Sequence, residues 1–215
     1  LIGWWRHNGN ANDSSPSNIN GTLYNAPTST TGQSGLANGA YQFNGSNQYI
    51  FYGEQYNSVP LPITYSIWVY HNSASGLSSL VMSDGSTAGY LGWRVQINTN
   101  NTIEASYGTG NATGVANRRS FITSSTVPNN SWRHIVAVIS SYSNIRVYIN
   151  GVQQSGSYSG SAASMSTSTS SSPMRIGRYS VGTYIHTADR FDDIRVYNSA
   201  VTASEIADLY NAGAW

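Results

Sequence analysis

Side chains that could bind a metal ion through oxygen occur in two places in the chain. Asn8, Asn10 and Asp13 lie in one polar turn near the beginning, and Asp192 and Asp193 lie in a strand-like run near the end. Hard cations such as Ca²⁺ take carboxylate, amide and backbone carbonyl oxygens as ligands. Both segments are therefore candidates for a cation site.

The side on which each late aspartate lies can be predicted from strand alternation. Ile194 and Val196 form the natural core face of their strand, so Asp192 should share that face, and Asp193 should point the other way with Arg195. An aspartate on the core face needs a cation or several hydrogen-bond donors, because an unpaired buried charge is costly. The alternative is that Asp13 caps a turn and Asp192 accepts backbone amides.

Aromatic and hydrogen-bonding side chains provide a second candidate site, one that could bind sugars. The sequence contains 16 tyrosines and 6 tryptophans, and sugar rings stack on such faces while Arg and Asn bond the hydroxyl groups. The alternative for each aromatic residue is packing in the core. The candidate ligand-binding residues are Tyr90, Trp93, Arg94, Tyr107, Tyr179 and Tyr184.

Residues suited to catalysis are sparse. Glu54, Glu104 and Glu205 are isolated in the sequence, and Asp192 and Asp193 should point to opposite faces of their strand. No Gly-x-Ser-x-Gly elbow or phosphate-binding loop is present. We therefore predict that the protein is not an enzyme.

The composition excludes several kinds of partner. The formal net charge is +1, only 9% of the 215 residues are charged, and lysine and cysteine are absent. So small a net charge disfavours binding to nucleic acid or to an anionic membrane surface. Without cysteine there is no disulfide or thiolate metal site, and no apolar run approaches the roughly 20 residues of a membrane-spanning helix.

The elements that must position these residues are mainly strands. Residues 132–139 are apolar and β-branched, residues 145–149 alternate, and Asn150-Gly151 is typical of a type I′ hairpin turn. Residues 63–70 carry bulky side chains on both faces, which predicts a strand covered on both sides. The alternation of 145–149 predicts one buried face and one face in water.

Two further segments complete the pattern. Thr202 and Glu205 form a capping box before a helical spacing of Ile206 and Leu209, with Gly213 at the end. Residues 155–173 are almost all Ser, Thr, Gly and Ala, which predicts a long solvated loop. Many short strands, frequent turns and one terminal helix predict an all-β, antiparallel two-sheet sandwich.

Five ordered motifs resemble those of laminin-G-like (concanavalin A-like) jelly-roll domains. They are WW with NGNANDSS and NGTL (4–5, 8–15 and 20–23), YQFNGSNQYI (41–50), YSIWV (65–69), WRHI with VYING (132–135 and 147–151), and FDDIRVYN with SEIADLY (191–198 and 204–210). The resemblance implies a structural calcium ion where the N-terminal loop meets the last strand. Strand alternation favours Asp13 and Asp192 as its ligands, with Asn8 in support. Glycosidases of this jelly-roll type carry a Glu-x-Asp-x-x-Glu strand, which this sequence lacks.

We therefore expect one jelly-roll domain over residues 1–215, belonging to a longer protein that begins before Leu1. It should be a non-catalytic recognition module on the outside of a cell or virion, with glycans or surface proteins as partners and no nucleic-acid binding or membrane insertion. The alternative is a structural virion domain (decoration or fibre) or an adhesin domain that acts through protein contacts. A glycan-binding domain should show exposed aromatic residues beside polar donors, and an architectural domain a flat apolar patch.

Overall fold

The computed structural model describes residues 1–72, 76–83, 90–111, 113–166, 174–179 and 185–213, and every structural statement here concerns these ranges. Within them the chain forms 18 strands and one α-helix. The strands are β1 (Gly3–Trp5), β2 (Thr22–Tyr24), β3 (Thr28–Thr30), β4 (Ala40–Gln42), β5 (Tyr49–Phe51), β6 (Ile63–Tyr70), β7 (Ser78–Met82), β8 (Leu91–Ile97), β9 (Thr102–Thr109), β10 (Arg118–Thr126), β11 (Trp132–Ser141), β12 (Asn144–Ile149), β13 (Val152–Gln153), β14 (Gly156–Ser159), β15 (Arg175–Ile176), β16 (Arg178–Tyr179), β17 (Ile185–His186) and β18 (Arg190–Tyr197). Helix α1 spans Ala203–Gly213.

The strands form two antiparallel sheets and a small hairpin. Sheet A has the order β13-β12-β11-β6-β18-β4-β3, with β1 also paired to β18; sheet B has the order β14-β10-β9-β8-β7-β15-β5-β2. Strands β16 and β17 pair only with each other in the described ranges. The predicted all-β, antiparallel two-sheet sandwich with a C-terminal helix is confirmed. The helix is too short to span a bilayer, as are all helices in the described ranges.

Aromatic side chains from both sheets fill the space between them. Trp93 of sheet B stacks on Tyr65 of sheet A with ring centroids 3.9 Å apart. Phe43 and Phe191 meet edge to face at 5.3 Å. Burial of such large apolar surfaces is the main favourable term in folding, so the two sheets are held together chiefly by this layer.

The central hairpin of sheet A agrees with its sequence pattern at the turn. Asn150 and Gly151 have φ angles of 50° and 78° and connect β12 to β13, as a type I′ turn requires. The outer face of β12, however, is not in water as predicted: Tyr148 is 1% exposed. Helix α1 causes this burial, because Ile206 and Val201 pack with Tyr148 against the outer face of the sheet.

The capping box at the start of α1 is present. The Thr202 amide donates to Glu205 Oε2 at 2.8 Å, and the Glu205 amide donates to Thr202 Oγ1 at 3.3 Å. The predicted solvated loop over residues 155–173 is wrong in its first part, because Gly156–Ser159 forms β14 at the edge of β10. Residues 167–173 of that segment lie outside the described ranges. The sequence of this segment contains few apolar residues and so gives no strand signal. The strand forms because its backbone hydrogen-bonds to the neighbouring strand β10.

A bulge interrupts β18 at the two aspartates. The register with β6 shifts between Asp192 and Arg195, and Asp193 has a φ of 44°. Phe191 and Ile194 both lie in the core, so the strict alternation used in the sequence prediction fails here. The predicted placement of Asp192 on the side of Ile194 is therefore wrong, whereas Asp193 lies with Arg195 on the face opposite Ile194, as predicted.

Candidate functional site

The outer face of sheet B carries a row of polar side chains on three neighbouring strands. Trp93 and Val95 of β8 point into the core, so Arg94 and Gln96 point outward. Opposite Arg94 on β9 is Ser106, and opposite Gln96 is Glu104. Strand β10 adds Ser120 next to Ser106. Strand pairing therefore brings these residues together, although they are far apart in sequence.

An ion pair lies at the centre of this row. Arg94 Nη2 donates to Glu104 Oε1 at 2.8 Å, and Arg94 Nε donates to Ser106 Oγ at 3.0 Å. The Ser120 hydroxyl donates to Glu104 Oε1 at 2.8 Å, and Gln96 Nε2 donates to Oε2 at 3.3 Å. The Arg94 and Glu104 side chains are only 7% and 11% exposed. Their positions are thus fixed before any ligand arrives.

The charge on Glu104 is maintained by its neighbours. Burial alone raises the pKa of this carboxyl group, but the charge and hydrogen bonds of Arg94 and the Ser120 hydroxyl more than offset it. The pKa of Glu104 therefore lies below its usual value. At neutral pH the group is an ionised acceptor that could receive sugar hydroxyl donors.

Arginine–tyrosine pairs follow one another across the same face, and we call them the Arg–Tyr stripe. The guanidinium carbon of Arg118 lies 3.3 Å from the ring centroid of Tyr90. Arg94 lies 5.4 Å from the Tyr179 ring and donates to its hydroxyl at 2.7 Å. The third pair of the stripe is Arg178 over Tyr49, at 4.7 Å.

Beyond Tyr49 the aromatic surface continues to the edge of the sheet. Tyr24 of β2 stacks parallel on Tyr49, with centroids 4.5 Å apart and an angle of 5° between the rings. Tyr24 is 40% exposed. This stacked pair provides a flat platform of the kind that binds apolar ring faces.

An open cleft of about 240 Å³ lies over the ion pair. Tyr90, Arg94, Glu104, Arg118 and Ser120 line it, together with the loops around Val115 and Gly160. Gly160 allows one wall to approach closely, because a Cβ atom there would overlap the Arg118 carbonyl oxygen. The cleft therefore combines one acceptor, two cations and an aromatic ring.

The structure brings together part of the predicted aromatic site. Arg94 and Tyr179 are in direct contact, whereas Trp93 and Tyr107 are 0% and 1% exposed and belong to the core. The prediction is corrected for these two, since a buried ring cannot stack on a ligand. Tyr184 lies outside the described ranges. Trp93 and Val95 are two residues apart on one strand, so their side chains share a face. Because Val95 is apolar and predicted to be buried, the sequence could have predicted that Trp93 also points into the core.

Several residues of this face were missed in the sequence. Glu104, Arg118, Ser120, Tyr49 and Arg178 join Arg94 through strand order and register. Each lies on a different strand from Arg94, and no local spacing relates them to it. No short-range sequence signal could have identified them.

The three predicted metal ligands do not assemble as one set. Asp13 Oδ1 accepts the amides of Trp4 and Ser15, and Oδ2 accepts the Ile19 amide and the Ser15 hydroxyl, all at 2.8–2.9 Å. Asn8 and Asp192 line a separate pocket. No group of three or more His, Cys, Asp or Glu side chains suited to a metal occurs in the described ranges. Four donors account for the Asp13 carboxylate without a cation, as in the turn-capping alternative.

The pocket that contains Asn8 lies on the outer face of sheet A and has a volume of about 240 Å³. Because of the bulge, both Asp192 and Asp193 line it. Asp193 is held by Arg195 at 2.8 Å and by Trp4 Nε1 at 2.6 Å. Asp192 Oδ2 accepts the Gln33 amide at 2.9 Å, and burial raises the pKa of Asp192 to about 7.

Changing Asp13 to alanine should destabilise the fold in the presence or absence of calcium. The substitution removes four hydrogen bonds to the carboxylate and leaves three backbone amides without their acceptor. We therefore expect the free energy of unfolding to fall by about 2–4 kcal/mol. Urea denaturation checks this. Asp208→Ala, at an exposed helix position, is the control and should change stability by less than about 0.5 kcal/mol.

The calcium site itself stays a prediction and is tested with a variant at Asp192. If calcium binds at Asp192, adding it should raise the melting temperature of the wild type, and Asp192→Asn should abolish the increase. Identical melting curves in calcium and in chelator would remove Asn8, Asp13 and Asp192 as ligands.

The family is decided by a sequence comparison. Residues 43–207 match the family model described as the concanavalin A-like lectin/glucanases superfamily. The chain belongs to this superfamily. No curated protein sequence matches this concanavalin A-like chain.

Solved structures share the concanavalin A-like fold at low sequence identity. The receptor-binding domain of botulinum neurotoxin C/D mosaic serotype is 14% identical with a TM-score of 0.70, and the match covers 98% of this chain and 51% of that one. The binding domain of botulinum neurotoxin DC in complex with SialylT is 11% identical with a TM-score of 0.69, covering 99% and 51%. A Trypanosoma rangeli sialidase is 19% identical with a TM-score of 0.64, covering 98% and 32%. The chain thus spans about half the length of the toxin domains and a third of the sialidase.

Proposed function

We propose that this domain is a non-catalytic carbohydrate-binding module, and that its binding face is the outer face of sheet B. The observation that carries the proposal is the fixed Arg94–Glu104 pair at the floor of an open cleft, beside the half-buried ring of Tyr90. Sugar hydroxyls both donate and accept hydrogen bonds. A cleft with an ionised acceptor and guanidinium donors in fixed positions matches both roles.

The aromatic residues on this face support a sugar ligand over an architectural role. Tyr90 borders the cleft, and the Tyr24–Tyr49 stack continues the surface toward the sheet edge. Exposed aromatic rings beside polar donors are the features that we expect of a glycan-binding domain, in contrast to a flat apolar patch. The toxin domains of similar fold include one in complex with SialylT, which is consistent with the proposal.

The proposal of a binding function without catalysis rests on the carboxylates. Glycosidases hold two of them across the scissile bond, whereas in the described ranges Glu104 alone lines the sheet B cleft and is tied to Arg94. On sheet A, Asp192 and Asp193 share a pocket, but Asp193 is engaged by Arg195 and Trp4. We further propose that the domain works at a cell or particle surface, where glycans and surface proteins are the available partners.

A glycan array probed with the isolated domain tests the proposed function, followed by titration calorimetry with each glycan that binds. Tyr90→Ala should weaken binding about threefold to tenfold, because a ring contact contributes about 0.5–1.5 kcal/mol. Tyr142→Ala is the matched control, since Tyr142 is 43% exposed but lies in the turn after β11 in sheet A, and it should bind like the wild type. An array without any bound glycan, or equal effects of the two variants, would contradict the proposal.

A further inference from the structure

The most exposed large apolar side chain in the described ranges lies at the mouth of the cleft on sheet B. Val115 is 75% exposed and lines the cleft. The short 3-10 turn Val115–Asn117 that carries it is fixed at both ends. The Val115 carbonyl accepts the Ser161 amide at 3.0 Å, and Asn117 Oδ1 accepts the Thr109 hydroxyl at 2.9 Å. A single exposed apolar residue is common on a protein surface, whereas this one is held in place beside a concave site.

The floor of the cleft has an apolar side chain next to a carboxylate. Ile122 of β10 pairs with Glu104 of β9, and Ile122 points outward because Phe121 lies in the core. Ile122 is half-buried and lines the cleft. Directly paired residues of neighbouring strands have Cβ atoms about 5 Å apart. A ligand group at this floor therefore meets an anionic acceptor and an apolar surface side by side.

Glu104 can accept one more hydrogen bond than it receives from the protein. An ionised carboxylate has about four acceptor positions. Arg94 and Ser120 donate to Oε1, and Gln96 donates to Oε2 at 3.3 Å. Within the described part of the chain one position at Oε2 is thus left for a donor of the ligand.

Two hydroxyl groups of the cleft are available as donors to a ligand. Ser159 of the edge strand β14 pairs with Ser120, so their side chains lie on the same face of the sheet. Ser159 and Tyr90 both line the cleft, and neither hydroxyl forms a hydrogen bond with another described residue. A carbonyl oxygen of a ligand therefore has donors in the cleft that do not depend on the arginines.

We propose that the sheet B cleft binds a sugar through an acetamido group, with the methyl group against Val115 and Ile122 and the N–H donated to Glu104. This inference rests on the proposed carbohydrate-binding function and specifies the class of ligand. In a trans amide the N–H and the carbonyl oxygen point in opposite directions, so the N–H lies on the same side as the acetyl methyl group. Glu104 and Ile122 lie side by side in the same way. The carbonyl oxygen, on the other side of the amide, is left for a hydroxyl donor.

Sugars without this group match only part of the cleft. A sugar with hydroxyl groups alone supplies a donor to Glu104 but places polar groups against Val115 and Ile122, which costs free energy when the polar groups lose their water. A 6-deoxy sugar supplies a methyl group without an N–H beside it. An acetamido group carries both on one side.

The experiment compares matched disaccharides by titration calorimetry with the whole chain. N,N′-diacetylchitobiose differs from cellobiose, and N-acetyllactosamine from lactose, only in acetamido groups that replace hydroxyls. We expect the acetamido member of at least one pair to bind about tenfold more tightly, because it adds a buried methyl group and a further hydrogen bond. Each glycan that binds on the array is compared in the same way with its counterpart that lacks the acetamido group.

A variant at Val115 assigns the preference to the cleft. Val115→Thr keeps the shape of the side chain and replaces one methyl group by a hydroxyl. It should lower the affinity ratio between the acetamido and hydroxyl members about threefold. Val152→Thr is the matched control, because Val152 is 65% exposed on β13 at one edge of sheet A, and it should keep the wild-type ratio. Melting curves establish that both variants are folded.

The outcomes separate this inference from the proposed function. Equal binding within every matched pair would overturn the acetamido inference and leave carbohydrate binding intact, and so would an array on which the bound glycans lack acetamido groups. An unchanged ratio in Val115→Thr would also overturn it. If no glycan binds at all, the proposed function itself fails.

Discussion

Replacing Trp93 by alanine should lower the free energy of unfolding by about 3–5 kcal/mol, the usual cost of removing a large buried aromatic side chain. Trp93 is 0% exposed and stacks on Tyr65 across the two sheets, with centroids 3.9 Å apart. Its removal opens a cavity at the centre of the core. Chemical denaturation measures the change directly.

Trp93→Phe is the informative comparison for this position. The Trp93 indole N–H has no hydrogen-bond partner within the described structure, so phenylalanine removes an unsatisfied donor while it keeps a ring against Tyr65. We expect Trp93→Phe to cost clearly less than Trp93→Ala. If Trp93 instead bound a ligand at the surface, both variants would lose binding and retain wild-type stability.

The positions of Trp93 and Arg94 in the structure show how much of the site the sequence could predict. Adjacent residues on a strand point to opposite faces, so both could not belong to one site. Arg94 lies outward and contacts Tyr179, as the sequence prediction required. Trp93 belongs to the core because its alternation partners Val95 and Ile97 do, and this could have been read from the same seven residues.

Features with short-range causes were predicted well. The Asn150-Gly151 turn and the Thr202–Glu205 capping box depend on residues within a few positions of each other, and both are present. The Arg94–Glu104 ion pair depends instead on the register between β8 and β9. The bulge at Asp193 depends on how β18 pairs with β6. The alternation rule assumes a regular strand and cannot predict such a bulge. Register and bulges are set by tertiary packing, so the polar face of sheet B became visible only in the structure.

Stability should decrease between pH 6.5 and pH 4 because His7 must stay neutral in the folded state. Its side chain is 1% exposed, and burial lowers its pKa to about 4, although the Phe191 carbonyl and Asp193 oppose the shift. His7 Nδ1 lies 3.1 Å from the Phe191 carbonyl oxygen, an acceptor, so Nδ1 carries the proton. Nε2 therefore accepts the Tyr52 hydroxyl at 2.8 Å, and a second proton on the ring would remove that bond.

The direction of this pH effect on stability follows from the number of protons that the folded and unfolded states bind. Below pH 6.5 the unfolded chain binds a proton at His7, whereas the folded protein does not until about pH 4. Unfolding is thus favoured progressively as pH falls through this window, by about 3 kcal/mol in total at 1.4 kcal/mol per pKa unit. His134, whose pKa is also lowered to about 4 by burial, should add a similar loss.

The total pH profile is a sum, because Asp192 acts in the opposite direction. Its pKa is raised to about 7 by burial, so the folded protein binds this proton before the unfolded chain does and gains stability as pH falls from 7 toward 3.8. Single variants separate the contributions. His7→Gln keeps a donor and an acceptor at the site but does not titrate, so its unfolding free energy should fall less than that of the wild type between pH 7 and pH 4, by about 3 kcal/mol.

His186→Gln is the matched control for this measurement. His186 is only partly buried, and burial and Arg178 lower its pKa without a large shift, so its profile should follow that of the wild type closely. Urea titrations at half-unit steps from pH 4 to pH 8 provide the comparison. Parallel curves for the wild type and His7→Gln would show that His7 is protonated equally in both states, and the assignment of a buried neutral imidazole bridging Phe191 and Tyr52 would then be wrong.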